Sequence, residues 1–332
     1  MALMQLDTAN LASELQRLSD SFPLYLSGAD WNNLQNLQRI RNFVEDPVVK
    51  RAYAKIEQTY SDSPQLGIEL ARIFHHTRQL FPAFKDPVVY TYISYFDFVN
   101  RVIYLDSALS IALDLYIDGN ESQLDELGVP RYMSRKLNAK HLGADVARVI
   151  GSAWMPQEKQ CLLDYIVSEG KVLYFMEQVL PEADAATLLG YTPEQWLWCR
   201  AHEREVWQYI VQQNLLFESN PMKFRYFVNE GPFNPLLDGA PARLSQFIGW
   251  RIVRAYLKKS GNDFQTLLQA TPQEVLQASA YRPYIKILPW KTFHSHGRNR
   301  SYPKVKDYRA ALTASKAASK SGSSVFSLTY ST

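Results

Sequence analysis

The stretch from Asn229 to Lys259 constrains the fold of this chain most, because a loop dense in proline and glycine leads directly into an amphipathic helix. Loops that a scaffold holds in place tend to carry functional side chains. Apolar side chains then recur at three- and four-residue spacing, which predicts a helix from Ala242 to Lys259 with one apolar stripe. The stripe consists of Leu244, Phe247, Ile248, Ile252, Ala255 and Tyr256. We therefore expect this helix to pack into the core along one face.

The opposite face of the predicted helix is cationic, and Arg243 and Arg251 are among its residues. A cation in the first turn faces the positive end of the helix dipole, so Arg243 should cost about 0.3–1 kcal/mol unless a carboxylate compensates it. Asp238, or another carboxylate of the same fold, is the simplest compensation, and a ligand or partner is the functional alternative. Arginine and tryptophan are frequent hot spots of protein interfaces. We accordingly take Arg243, Trp250 and Arg251 as candidate partner-binding residues.

The composition is that of a globular protein, but its charge is unevenly divided. Of the 332 residues 46% are apolar, which is enough for a substantial core. From Arg282 onward there are ten Lys or Arg residues and one acidic residue, which leaves 26 basic and 32 acidic residues, a net charge of −6, for residues 1–281. A mildly acidic globular part argues against a nucleic-acid partner. We predict a single globular domain over residues 1–283 and a basic, disordered tail over residues 284–332.

Cysteine content and hydropathy exclude several classes of protein. The two cysteines, Cys161 and Cys199, form neither a disulfide framework nor a CxxC motif, and we interpret them as small apolar core residues. No apolar run approaches the length of a transmembrane helix. The first sixteen residues lack the basic and apolar regions of a signal peptide. We therefore expect the chain as given to be soluble.

The local patterns predict an α+β fold that is predominantly helical, with a small sheet. The strand signals are Val88–Ile93 and Val102–Leu105, which we expect to pair with each other because both are rich in β-branched and aromatic residues. Thr192 and Thr271 each precede a proline and a Gln or Glu at the third helical position, which is the pattern of a capping box. The predicted helices cover residues 11–18, 31–44, 64–80, 107–116, 140–154, 156–179, 193–213, 242–259 and 272–279.

Six segments follow one another in the chain from Phe81 to Pro283: FPAFKDPVVYTYISYFDFVNRVIYLDSALSIALDLYIDG, GKVLYFMEQVLP, GYTPEQWLWC, FVNEGPF, GAPARLSQFIGWRIVRAY and SAYRP. In this collinear order they resemble the gliding motility lipoprotein GldB family of gliding bacteria, and such a set is far more specific than any single short motif. The resemblance implies a lipid-anchored cell-envelope protein that works with other motility and secretion proteins. Family members are anchored through a lipidated cysteine, and this chain has no cysteine before Cys161.

GldB proteins also resemble predicted zinc proteases of the zincin type, in which an HExxH helix and a downstream Glu bind the metal. In this chain the corresponding helix carries His141 and Asp145, and the next helix carries Glu169. These three residues are the candidate metal ligands. Leu142 stands where the general base should be, and general acid–base catalysis contributes roughly 10² to 10⁴ in rate. The resemblance thus implies a zincin-like core with a degenerate catalytic motif, no cofactor and no catalytic residue.

Three functions from different classes follow from these patterns. The first is a non-catalytic envelope protein that supports gliding motility and type IX secretion through protein–protein contacts. The second is a zinc peptidase-like enzyme, and the third is a module that binds an anionic ligand through Arg243, Arg251 and the loop before them. A broad apolar patch on the surface would favour the first function, and an arginine cluster in a concave site would favour the third.

Overall fold

The computed structural model describes residues 2–61, 64–105, 107–119, 121–155, 158–261 and 263–283, which all belong to the unit Met1–Pro283. The predicted disordered tail, residues 284–332, lies outside the described residues. The strands are β1 (Val88–Tyr92), β2 (Val102–Leu105) and β3 (Ala108–Ala112). The helices are α1 (Leu11–Ser19), α2 (Pro23–Leu26), α3 (Leu34–Glu45), α4 (Pro47–Tyr60), α5 (Gln65–Leu80), α6 (Glu121–Glu126), α7 (Arg131–Ser134), α8 (Ala139–Ala153), α9 (Leu162–Val179), α10 (Ala185–Leu189), α11 (Pro193–Gln212), α12 (Pro221–Val228), α13 (Leu244–Ser260), α14 (Phe264–Gln269) and α15 (Pro272–Ser279).

Side-chain caps fix where several helices begin, and both predicted capping boxes are confirmed. Thr192 accepts a hydrogen bond from the backbone N–H of Gln195 at 3.2 Å, and Gln195 accepts one from the backbone N–H of Thr192 at 3.1 Å. Thr271 has the same reciprocal bonds with Glu274. The predicted start of α9 at residue 156 was wrong, because Asp164 caps the backbone of Cys161 and places the first turn at Leu162.

The sheet is three-stranded and mixed, with β3 in the centre between β1 and β2. β1 runs parallel to β3, and β2 runs antiparallel to it. The predicted direct pairing of the first two strands was therefore wrong, and so was the helix predicted over residues 107–116. Every residue of β3 is buried, and its sequence, which is apolar apart from Ser110, therefore shows neither a helix period nor a strand period. The fold is thus α+β and predominantly helical, while the zincin-like core stays a prediction.

A buried carboxylate shapes the turn that follows β1. Asp114 is fully buried and accepts hydrogen bonds from the backbone N–H groups of Ser94, at 3.0 and 3.1 Å, and Phe96, at 2.8 Å. Between these bonds the chain has two successive residues with positive φ, Tyr95 at 56° and Phe96 at 62°. Non-glycine residues adopt this conformation only when surrounding contacts impose it. The Asp114 carboxylate supplies those contacts.

The centre of the core is the crossing of α9 and α13, where two glycines face each other. A Cβ added to Gly249 would lie 1.8 Å from the carbonyl oxygen of Ile166, and one added to Gly170 would lie 2.3 Å from the carbonyl oxygen of Gly249. The two backbones therefore approach more closely than side chains permit. Gly170, which follows Glu169 in the sequence, thus has a packing role. This contact also fixes Glu169 on α9 relative to the start of α13.

Candidate functional site

The described residues form one strongly charged cavity, which we call the charge-lined cavity. Its volume is about 30 Å³ and it lies between α8, the end of α10 and the start of α13. A larger hollow of about 410 Å³ near α1 and α2 has Asp20 as its single ionisable lining residue, so it offers no comparable set of reactive groups. The ionisable side chains around the charge-lined cavity are Arg101, Lys136, His141, Asp145, Arg148 and Arg243.

Helix α8, the N-cap of α13 and two loops bring these side chains together. Asp145 and Arg148 lie three residues apart on one face of α8. Arg101 immediately precedes β2, and Lys136 follows α7. Gly190 ends α10 with φ at 64°, and a Cβ there would lie 3.1 Å from Lys136 Cδ and 3.2 Å from Arg243 Nη2. The bare backbone of Gly190 is therefore what allows the two cations to approach the cavity.

Asp145 is held by a bidentate ion pair. Arg101 donates from Nε to Oδ2 at 2.6 Å and from Nη2 to Oδ1 at 2.8 Å, and the Tyr116 hydroxyl donates to Oδ2 at 2.9 Å. The Asp145 side chain is 15% exposed. Burial alone would raise the pKa of its carboxyl, but the hydrogen bonds and charge of Arg101, with the Tyr116 bond, hold that pKa below its usual value. The Asp145 carboxylate is therefore ionised, and both of its oxygens accept hydrogen bonds.

Arg148 links α8 to α9 and α10. Its Nη1 lies 3.0 Å from Glu169 Oε2, and its Nη2 donates to the Leu188 carbonyl at 3.4 Å and to Gln246 Oε1 at 3.3 Å. Gln246 in turn donates to the Leu189 carbonyl at 2.9 Å. The carbonyls at the end of α10 thus face cationic and amide donors, as is favourable at a helix C-terminus. Glu169 is committed to Arg148.

Lys136 and Arg243 share one carboxylate, Glu230. Lys136 Nζ lies 2.6 Å from Glu230 Oε1, and Arg243 Nε lies 3.0 Å from Oε2. Burial, which would raise the pKa of Glu230, is outweighed by the charges of Arg243 and Lys136, which lower it. Burial and the charge of Arg243 lower the pKa of Lys136 to about 8 despite Glu230. The prediction that a carboxylate compensates the charge of Arg243 is therefore confirmed. The carboxylate is that of Glu230, whereas Asp238 is exposed.

The loop before α13 positions both Glu230 and Arg243. Asn234 is buried and donates from its side chain to the Tyr226 carbonyl at 3.1 Å, while its Oδ1 accepts from the backbone N–H of Leu236 at 2.9 Å. Arg243 occupies the N-cap of α13 with φ at 55°. Its Nη2 donates to the Leu189 carbonyl at 3.0 Å. The predicted helix start at residue 242 shifts to Leu244 because Arg243 has this left-handed conformation.

Of the candidate metal ligands, His141 and Asp145 lie one turn apart on α8 and line the cavity, Glu169 lies on α9, and each of the three has a different partner. His141 Nδ1 lies 2.9 Å from Asn138 Oδ1, and burial lowers the His141 pKa although Asp145 opposes this. Asp145 and Glu169 are paired with arginines as described above. Leu142 is 2% exposed and belongs to the core. Among the residues that the structure describes, no group of three or more His, Cys, Asp or Glu side chains is arranged to hold a metal ion.

Of the three candidate partner-binding residues, only Arg243 reaches the charge-lined cavity. Trp250 is 5% exposed and donates from Nε1 to Glu177 Oε2 at 2.9 Å. Arg251 lies on a different surface, where its Nε is 2.8 Å from Glu203 Oε1. The residues that the sequence did not single out are Arg101, Lys136, Arg148 and Glu230. Arg101, Lys136 and Glu230 belong to no local pattern that indicates a site. Arg148 alone could have been recognised from the sequence, because it lies three residues after the candidate ligand Asp145.

Comparison with models of protein families matches residues 1–283 to the family described as gliding motility protein GldB. Because the match covers well over half of the sequence, the chain belongs to the GldB family, as its motifs predict. No curated protein and no solved structure is significantly similar to the chain. Family membership indicates a cell-envelope lipoprotein with a role in gliding motility. Within the described ranges, no helix is long and apolar enough to cross a membrane.

Proposed function

We propose that the protein supports gliding motility and type IX secretion as a non-catalytic component of the cell envelope that acts through protein–protein contacts. The observation that carries the proposal is the state of the candidate metal ligands and of the position where a general base would stand. Asp145 has both carboxylate oxygens bound to Arg101, Glu169 is bound to Arg148, and Leu142 occupies the core position where a base would stand. A hydrolytic site needs a free base and open ligands, and here those groups serve the fold.

The electrostatics of the charge-lined cavity also oppose a zinc ion. A divalent cation bound by His141 and Asp145 would lie among Arg101, Lys136 and Arg148. Like charges at such short range repel strongly in a partly buried site. Zinc would also have to displace the two hydrogen bonds between Arg101 and Asp145. These costs favour a binding role over a catalytic one.

An exposed apolar strip on the sheet supports protein–protein contacts. Val88 of β1 and Leu105 of β2 are both in register with the buried Ala108, so the three side chains lie in one row on the same face. Val88 is 58% exposed and Leu105 is 56% exposed. Ile103, two residues from Leu105 and on the same face, is 37% exposed. Exposed apolar residues that are grouped on one face are typical of interaction surfaces.

Complementation of gliding in a strain that lacks the gene tests this proposal. The variants His141→Gln and Glu169→Gln should restore gliding as well as the wild-type gene, because neither side chain takes part in chemistry. Val88→Asp with Leu105→Asp should restore it poorly. Leu197→Asp is the matched control, since Leu197 is an apolar side chain on α11 that is 61% exposed. Loss of gliding in His141→Gln or Glu169→Gln at normal protein abundance would refute the non-catalytic proposal.

The arginines of the charge-lined cavity favour a second function, binding of an anionic ligand. Arg101, Arg148 and Arg243 meet at one concave site, which is the arrangement that distinguishes this function from the others. Arg251 takes no part in it, because its partner is Glu203 on another surface. Both functions are forms of binding, so they are compatible in one protein.

A further inference from the structure

The charge-lined cavity contains more positive than negative charge. Arg101 and Arg148 each have a carboxylate of their own, whereas Lys136 and Arg243 share Glu230. With His141 neutral, the set carries one uncompensated positive charge. Burying a charge without a partner is costly, so a single negative charge in the cavity would stabilise the set. The cations are Arg101, Lys136, Arg148 and Arg243, and the carboxylates are Asp145, Glu169 and Glu230.

The two cations that share Glu230 also retain hydrogen-bond donors. A lysine ammonium has three N–H donors, and the bond to Glu230 uses one of those on Lys136. Arg243 forms an ion pair with Glu230 through Nε and donates a hydrogen bond from Nη2 to the Leu189 carbonyl, and among the described residues its Nη1 has no further partner. The Leu189 carbonyl accepts a hydrogen bond but carries no net charge. The remaining donors of Lys136 and Arg243 can therefore bind an anion that has two acceptor oxygens.

The size of the cavity restricts what this anion can be. A buried water needs roughly 10–15 Å³ of such space, so about 30 Å³ holds about two groups of that size. The two oxygens of a carboxylate group fit this space, whereas a sugar or a phosphate monoester exceeds it. The Lys136 side chain is 10% exposed and that of Arg148 is 20% exposed, so the cavity is reached from solvent.

We propose that the charge-lined cavity binds one carboxylate group, held by Lys136 and Arg243, whose shared partner Glu230 neutralises only one of their two positive charges. This inference rests on the proposed function, because it takes the site to be a binding site and not a catalytic one. The carboxylate comes either from a free small acid or from a partner protein, through its chain end or an acidic side chain. Both sources present the same two oxygens to the same donors.

The protonation of Lys136 makes the binding depend on pH. The charged groups that face Lys136 are Glu230, Arg243, Arg101 and His141. Lys136, whose pKa burial and the charge of Arg243 lower to about 8, changes its charge between pH 7 and pH 9. Because deprotonation removes the positive charge and one of the three N–H donors of Lys136, we expect the apparent affinity for a carboxylate to fall about tenfold from pH 7 to pH 9.

Titration of the full-length protein with ¹³C-formate at constant ionic strength, followed by NMR line broadening, tests the inference. The wild type should show saturable binding that is about tenfold weaker or lost in Lys136→Met. Glu230→Gln should bind formate more tightly, because it removes the competing carboxylate, and this opposite sign separates binding from misfolding. Arg251→Met is the control and should match the wild type. N-acetyl-trialanine with a free carboxylate, compared with its amide, tells whether a chain end also enters.

Binding of formate or of the free-acid peptide, with the expected order of the variants, supports the inference. No saturable binding of either probe would overturn it, and so would equal binding by the wild type, Lys136→Met and Glu230→Gln. These outcomes are independent of gliding complementation. A cavity that binds no carboxylate would leave the non-catalytic role in motility intact, and a catalytic role found by complementation would not remove formate from the cavity.

Discussion

Gly170 of α9 and Gly249 of α13 face each other at a distance that excludes any side chain, because a Cβ on either would overlap backbone atoms of the opposite helix. The crossing joins the two helices that carry Glu169 and Gln246, both partners of Arg148. The geometry of the charge-lined cavity therefore depends on this glycine contact. A change at the crossing should alter the cavity as well as the stability of the fold.

Alanine at either glycine should destabilise the protein by about 1–3 kcal/mol or more, because the helices must move apart to make room. Thermal unfolding should show a clear decrease in Tm for Gly249→Ala and Gly170→Ala. Gly67→Ala is the matched control, since Gly67 lies in α5 with open space around it. That variant should be neutral or more stable by about 0.5–1 kcal/mol. Equal stability of all three variants would show that the crossing is looser than the structure indicates.

Removing one partner of the Arg101–Asp145 pair should cost about 3–5 kcal/mol, because the other charge then stays buried without compensation. We expect Asp145→Ala to be less stable than the double variant Arg101→Met with Asp145→Leu, which removes both charges. Urea unfolding at pH 7 measures the difference. The same stability in Asp145→Ala and the wild type would mean that the pair contributes nothing.

The pH dependence of the Arg101–Asp145 pair has a definite sign. Despite burial, Arg101 lowers the folded-state pKa of Asp145 below its unfolded value, which is about 3.9. Its contribution to stability is therefore complete above about pH 4 and is lost as the pH falls through the folded-state pKa. Acid titration of unfolding should show a steeper loss for the wild type than for the double variant. Parallel curves would contradict this assignment.

Arg243 and Arg251, which the sequence predicts to be equivalent partner-binding residues, have different environments in the structure. Arg243 is 19% exposed and bound to Glu230, so Arg243→Ala should cost about 1–3 kcal/mol. Arg251 is 43% exposed, and Arg251→Ala should cost less than about 1 kcal/mol. Because Arg243 has a positive φ, Arg243→Gly should be more stable than Arg243→Ala by about 1 kcal/mol. Chemical denaturation decides this order, and an Ala variant as stable as Gly would rule out backbone strain at this position.

Association with envelope partners distinguishes the same arginines functionally. If partner contact runs through the charge-lined cavity, Arg243→Gly should weaken it and Arg251→Ala should not. The comparison must use samples with equal folded fraction, since Arg243 also stabilises the fold. Equal loss in both variants would favour a surface that includes Arg251, as the sequence alone predicted.

The helical part of the fold was largely predictable because its signals are local. The boxes at Thr192 and Thr271 and the apolar stripe of α13 lie within a few residues of the elements they define. β3 was not predictable in this way, since burial on both faces removes its period. Helix α4 was also missed, although Asp46 caps it and Pro47 begins it. These two residues are a recognisable helix start that the apolar pattern alone did not reveal.

The candidate site was predictable only in part because its contacts are long-range. A compensating carboxylate for Arg243 followed from the helix dipole alone, but Glu230 became its partner through the folding of the intervening loop. Arg101 and Asp145 are 44 residues apart, and Arg148 and Gln246 are 98 apart. No local pattern records such pairs. The helix from His141 to Asp145 suggested ligands, and only the structure places arginines on Asp145 and Glu169.

Zinc stoichiometry tests the central claim, that the zincin-like motif serves binding and not catalysis, most directly. Protein purified without chelator, and supplied with zinc before buffer exchange, should be analysed by plasma mass spectrometry beside His141→Ala. We predict far less than one zinc per chain, with no difference between the two proteins, and no zinc-dependent cleavage of a peptide library. One zinc per chain that disappears in His141→Ala, with peptide cleavage that Glu169→Ala abolishes, would contradict the account.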